Sequence, residues 1–392
     1  MTDYELRITS ARAAHTLHRL RAKTLHCPYA VMASGAVSST RAFSLIELLT
    51  VIAIITLLIS ILIPSLTAAR NSAKKTSTAA TLNAVKVGLE SFKNDNENEF
   101  KATNGYPPSY VYPPIPGATF QAHLGQFPFS EGNVKVYGAH WLPAMLMGPD
   151  LQGFIPRSNV PPALASKPSK WYKPDPLGKL LPRSNLYLEP GSVKLIATQD
   201  LPGRRPEDQE LWPNWGSPTS PTDEFTMRQL PVIVDAFDQP VLYYASNKFA
   251  GGRNLVEEKR RPANDYGDRG QPYYFHEDNA GFTGVGMWEK SDGFFRTNDP
   301  GWNFAGGAAA HPIGEAGHMV TASDVETKSK GKTFARYILD RNAYRALSAQ
   351  QLQNPKTPLR PVNADTFLLI SPGVDGLYGT KDDVSNLPQF AN

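Results

Sequence analysis

From Phe43 to Ile63 the chain runs 21 residues in which Glu47 is the only ionisable side chain. As a helix rising about 1.5 Å per residue, this run is roughly 31 Å long, enough to cross the hydrocarbon core of a bilayer. Beyond Pro64 the pattern turns from uniformly apolar to periodic. Residues 65–93 lack proline, are rich in alanine, and place Leu82, Val85, Leu89 and Phe92 at helical spacing, which predicts one apolar stripe packed on a core. The polar cluster Asn94–Glu99 ends the pattern. The spacing therefore predicts one helix of about 50 residues, its first half (43–64) of membrane type and its second (65–95) amphipathic.

From Tyr106 the pattern breaks up. "YPPSYVYPPIPG" and the proline-dotted stretch from Pro156 to Pro231 exclude long helices and central strands and predict an irregular layer over the core. A short helix is expected at "GAHWLPAMLMG", with Pro143 in its first turn. Later segments read as strands: "VKLIA" (193–197), "PVIVDAF" (231–237), "PVLYYAS" (240–246) and "DTFLLIS" (365–371), each rich in β-branched and aromatic residues. The middle two are expected to form a hairpin about Phe237-Asp238-Gln239, and "KTFARYILDRNAYRALS" (332–348) reads as a helix. This order predicts an α+β fold: a long helix, a proline-rich irregular insertion and an antiparallel sheet within a head spanning 96–392.

Charge changes the picture at the N-terminus only. The chain has 40 basic and 36 acidic residues, and residues 1–42 hold six of the former (Arg7, Arg12, Arg19, Arg21, Lys23, Arg41) against Asp3 and Glu5. The rest is neutral, so a chain that begins near residue 43 has no basic surface for nucleic acid. The same segment holds the only cysteine, Cys27, so disulfides cannot staple the head. Basic residues before the run place its N-terminal side in the cytoplasm and the head outside; Arg70, Lys74 and Lys75 weaken that signal without reversing it.

Glu47 is the anomaly. An ionised carboxylate in hydrocarbon costs a few kcal/mol or more. A secretory signal has an apolar core of roughly 7–15 residues, shorter than this one, although Thr67-Ala68-Ala69 could pass for its cleavage site. A plain anchor leaves the carboxylate unexplained. Cleavage between Ala42 and Phe43 would create an α-amino group four residues from Glu47. That group is poorly placed for pairing within one chain but suited to pairing with a neighbouring copy.

Ala42-Phe43-Ser44-Leu45-Ile46-Glu47, followed by the apolar run and Pro64, resembles the class III signal of type IV pilins and type II secretion pseudopilins. The resemblance implies that a prepilin peptidase removes a 1–42 leader and methylates Phe43. Glu47 then supports filament assembly with other pilin subunits on an inner-membrane assembly platform, and Pro64 bends the helix. Alanine stands at position 42 where the family more often has glycine, and the leader is long. Translation from Met32 would leave a leader of ordinary size, which makes 1–31 a dispensable or misassigned extension. "DAFDQPVLYYAS" is similar to the turn and tyrosine-bearing strand of major pseudopilins, and "FLLISPGVDGLYGTKDDV" (367–384) to their C-terminal strand and calcium loop. The likeness covers both ends of the mature chain. Residues of about 100–230 and 250–360 match nothing in the family.

The loop has chemistry of its own. Asp375, Asp382 and Asp383 lie close in sequence, and Gly373, Gly376 and Gly379 allow carbonyls to turn inward. Calcium takes six to eight oxygens from such a mixture, although the spacing is not that of an EF-hand and an acidic solvated loop is the plainer alternative. The expectation is a calcium site within 371–386.

Catalytic patterns fail. "GKT" (331–333) lacks the phosphate-loop glycine, since Glu326 stands in its place. "SAKK" (72–75) has no companion motifs. In "HPIGEAGH" (311–318), His311, Glu315 and His318 have neither a zinc-protease nor a zinc-finger spacing, and "HEDN" (276–279) reads as a turn. The expectation is a non-enzymatic filament subunit. A singly anchored periplasmic module that binds a ligand or glycan through its aromatic layer stands second, and an anchored hydrolase using His311 third.

Overall fold

A computed structural model describes residues 44–109, 137–148, 150–164, 171–172, 175–197, 200–201, 231–261, 264–266, 270–283, 311, 313, 333–354 and 357–387. The chain forms two units, Met1–Ile61 and Leu62–Asn392.

The described part of the first unit is the start of helix α1 (Leu45–Asn96). Every side chain from Ser44 to Arg70 is exposed, among them fifteen of Leu, Ile and Val such as Leu45, Ile54 and Leu62. The helix is long and apolar enough to cross a membrane. Its few hydroxyls are satisfied within the helix: Thr56 Oγ1 donates to the Ile52 carbonyl (2.9 Å), Ser60 Oγ to Leu57 (2.7 Å) and Thr67 Oγ1 to Ile63 (3.0 Å). This back-bonding lets polar side chains sit in a membrane-type helix without orphan groups. Assigned helix continues through Pro64, whose ring nitrogen has no hydrogen for the carbonyl of Ser60.

In the second unit the helix turns one face inward. Leu82, Val85, Leu89 and Phe92 are buried as the spacing predicts, with Thr78, Gly88 and Asn96 in line. Phe92 packs within 5.2–5.8 Å of the rings of Phe100, Phe154 and Tyr187. Gly88 permits close approach, because a Cβ there would lie 2.8 Å from the Tyr187 carbonyl oxygen. Over the sheet lies α2 (Gly138–Leu146), buried along its whole length. The expected helix is present, but Pro143 sits in its interior rather than its first turn. The helix begins five residues earlier because Gly138 and Ala139 enter it, with Asn279 Oδ1 accepting from the Ala139 N–H (3.0 Å).

The strands are short and fall where the sequence places them. β1 (Lys194–Ala197) pairs antiparallel with β2 (Pro231–Val234), Leu195 opposite Ile233. β3 (Leu242–Ala245) is followed by β4 (Val256–Glu257) and β5 (Tyr274–Phe275), which pair parallel, and by the short helix α3 (Ala280–Thr283). Three short helices follow: α4 (Phe334–Ile338), α5 (Arg341–Arg345) and α6 (Ala349–Gln353). β6 (Phe367–Ser371) then inserts between β3 and β7 (Val384–Ser385), antiparallel to both, with Tyr243 opposite Leu369. The architecture is α+β: a long N-terminal helix with small, mostly antiparallel sheets.

Two expectations need correction. β2 and β3 do not form a hairpin ladder; a single bridge, Val234 to Pro240, joins them, and each strand pairs elsewhere. Pro240 has no N–H to extend the ladder. The helix expected over 332–348 is two helices, because the Asp340 carboxylate accepts from the N–H groups of Asn342 and Ala343 and starts a new one. Leu339 between them bridges to Pro361.

Candidate functional site

At the start of α1, Glu47 is engaged within its own chain. The Ser44 N–H donates to Glu47 Oε2 (2.9 Å), and the Glu47 N–H donates to Ser44 Oγ (3.2 Å). This is a reciprocal capping box, which satisfies two orphan donors of the helix terminus. Sequence reasoning treated Glu47 as unexplained without a neighbour; the Ser-x-x-Glu spacing was the signal that it also caps. The amide used belongs to Ser44, so a cut before Phe43 leaves the box intact. Ala42 and Phe43 lie outside the described residues.

The second site is the loop between β6 and β7. Gly373 (φ 68°), Gly376 (φ 69°) and Gly379 (φ 96°) take left-handed conformations that favour glycine. At Gly373 space matters as well, since a Cβ would meet the Asp382 carbonyl oxygen at 2.2 Å. The turned backbone directs its N–H groups inward. Asp382 Oδ2 accepts from Val374 (2.7 Å) and Asp375 (3.0 Å), and Asp375 Oδ1 from Leu377 (2.8 Å). Asp383 Oδ2 accepts from the Gly379 N–H and the Tyr337 hydroxyl, both at 2.8 Å. Its Oδ1 accepts from the Thr380 N–H (3.1 Å) and hydroxyl (3.2 Å).

The environments of the three carboxyls differ. Burial pushes Asp383 up to about 7, partly offset by the hydrogen bonds from Gly379, Tyr337 and Thr380. Burial also raises Asp375, helped by the nearby Asp382. Burial acts upward on Asp382 too, but the Thr380 hydroxyl and the N–H groups of Asp375 and Val374 outweigh it and hold the carboxyl below its ordinary value. Asp383 is thus a pin of the loop, its four acceptor positions filled, while Asp375 and Asp382 keep lone pairs to spare. Among the described residues no three His, Cys, Asp or Glu side chains form a group able to hold a metal ion. A calcium ion here would draw on Asp375, Asp382 and the carbonyls of the turns, a donor set suited to calcium and poor for zinc.

Three supports of this loop were missed in the sequence because they come from distant segments. Tyr337, on α4, reaches Asp383. Tyr378 donates through its hydroxyl to the Pro240 carbonyl (2.7 Å) and through its N–H to His311 Nδ1 (3.2 Å). Ser371 Oγ donates to Asp235 Oδ2 (2.6 Å), whose other oxygen accepts from Phe237 and Gln239. The two segments similar to pseudopilins, 235–246 and 367–384, are therefore hydrogen-bonded to each other. His311 is buried, and burial pushes it down to about 4, so it is a neutral acceptor. Glu315 and His318 lie outside the described residues. "HEDN" begins as a single 3₁₀ turn, His276–Asp278. His276 lies there between Glu258 (3.0 Å) and Thr283 (3.1 Å), and Asp278 pairs with Arg260.

Comparison with family models, curated proteins and solved structures finds no match for this chain.

Proposed function

We propose that this protein is a pilin-like subunit of a type II secretion pseudopilus or related type IV pilus-like filament. It is cut before Phe43, N-methylated there, and assembled through the first half of α1. The observation that carries this reading is an exposed, membrane-length helix that opens on Phe43-Ser44-Leu45-Ile46-Glu47 and continues without a break into a stripe buried in a head. In a bilayer the capping box lowers the cost of holding Glu47 before assembly. In the filament the carboxylate is available to a neighbour's α-amino group. The head lies on the periplasmic side, and its C-terminal loop takes calcium through Asp375 and Asp382. The bound ion offsets their negative charge, and Asp383, Tyr337 and Thr380 hold the turn that presents the carbonyls.

Intact and N-terminal peptide mass spectrometry of protein from membranes containing prepilin peptidase tests the reading. A chain beginning at N-methylated Phe43 is expected. An uncleaved chain, or one beginning near Arg70, overturns it in favour of an anchored or secreted binding domain. Glu47→Ala should abolish assembly while leaving the head folded; a monomeric anchored receptor would be indifferent.

A further inference from the structure

Charge is segregated along α1. From Leu48 to Leu89 the chain has Arg70, Lys74, Lys75 and Lys86 and no acid; from Glu90 to Glu99 it has Glu90, Asp95, Glu97 and Glu99, with Lys93 the only base. The head absorbs part of this: Lys74 Nζ lies 4.8 Å from the centre of the Phe237 ring, and Glu90 accepts from the Tyr106 hydroxyl (3.0 Å). Arg70, Lys75, Asp95 and Glu97, however, form no ion pair with any described residue, and Arg70, Asp95 and Glu97 are exposed.

At about 100° per residue, Arg70 and Asp95 fall along one edge of the outward face, Lys75 and Glu97 along the other. Between the edges the exposed positions are Ala69, Ala73, Thr76, Ala80 and Val87, without a charge among them. Such a face is narrow enough for a second helix to approach, and its flanks dictate which second helix. A copy packed parallel and in register would set Arg70 and Lys75 against their own counterparts. An antiparallel copy would point its apolar run out of the bilayer. A parallel copy shifted by 20–27 residues, about 30–40 Å along the axis, sets bases against acids on both flanks.

We propose that this face of α1 is an interface between parallel copies of the chain, staggered by about 30–40 Å, with Arg70 and Lys75 of one copy against Asp95 and Glu97 of the next. The inference rests on the filament reading and adds the register. Exposed ion pairs contribute little each, so they select among staggers that the apolar half alone would leave nearly equal.

The test uses the full chain in cells with its peptidase and assembly machinery, with Cys27→Ser so that introduced thiols are unique. Lys75→Cys and Asp95→Cys chains, co-expressed and treated with a short bifunctional thiol reagent, are expected to link to each other, whereas neither links to itself when expressed alone. Arg70→Glu with Lys75→Glu should lower sheared filament yield about tenfold, and adding Asp95→Lys with Glu97→Lys should restore most of it. Filaments that form normally but give a Lys75→Cys self-link, or no link between the two positions, overturn the stagger and leave the filament reading standing. Absence of both filaments and links, with the head folded by its thermal transition, overturns the two together.

Discussion

Single residues decide whether the C-terminal loop closes. Gly373 combines a left-handed backbone with a contact that no Cβ can share. Gly373→Ala should therefore cost about 1–3 kcal/mol in chemical denaturation and weaken any calcium-dependent rise in melting temperature. Neutral buried histidines set a pH limit. His311 and His140 are pushed down by burial, to about 4 and about 3. In the unfolded chain both titrate near the ordinary value of about 6.5. Below that pH the unfolded chain takes up protons that the folded one refuses, so the stability due to His311 falls between about pH 6.5 and 4, by roughly 3 kcal/mol in all. Asp278, raised to about 6 by burial, acts in the opposite sense, its contribution being lost as pH rises from about 4 to 6. Comparing wild type with His311→Asn cancels that term. The variant should be less stable at pH 7, from lost packing, yet fall less steeply on acidification in pH-resolved melts.

At the scale of elements, α1 is held by a stripe rather than by its helical tendency, so the stripe is where truncation should tell. Phe92 is fully buried against three rings, and Phe92→Ala should cost about 3–5 kcal/mol in urea unfolding. By contrast, Val87→Ala, on the exposed face, should change stability by under about 0.5 kcal/mol. This stripe was legible in the sequence because helical burial repeats every three or four residues. The four strands were legible because their β-branched and aromatic runs are bounded by turns. Their partners were not. The proximity of Phe237-Asp238-Gln239 implied a hairpin, yet β3 pairs with β6, more than 120 residues away, and no local pattern encodes that choice. The break at Asp340 was misjudged for a related reason: a cap and an interior polar residue look alike until the backbone declares which it is. Of the candidate sites, the loop's glycines and aspartates were readable in one line of sequence. Tyr337, His311 and Pro240, which anchor it, are scattered over 144 positions and meet only in the fold.

For the whole molecule, the same long-range pairing sets the order in which the head can be built. β3 is buried at all four positions, but its partner β6 begins at Phe367, near the end of the chain. Pairing over such separations is slow to form, since loop closure precedes the contacts that reward it. Until then Leu242, Tyr243, Tyr244 and Ala245 present an open apolar edge, the kind of surface that aggregates or recruits proteases. A chain ending at residue 366 should accordingly be degraded or insoluble, although it keeps α1 and nine-tenths of its length; pulse-chase decay against the full chain measures this. The last strand is thus a proof of completeness. The assembly to which the subunit is added receives an intact head only if translation reached the end, because the final 26 residues supply the strand that closes the sheet and the loop that seals it.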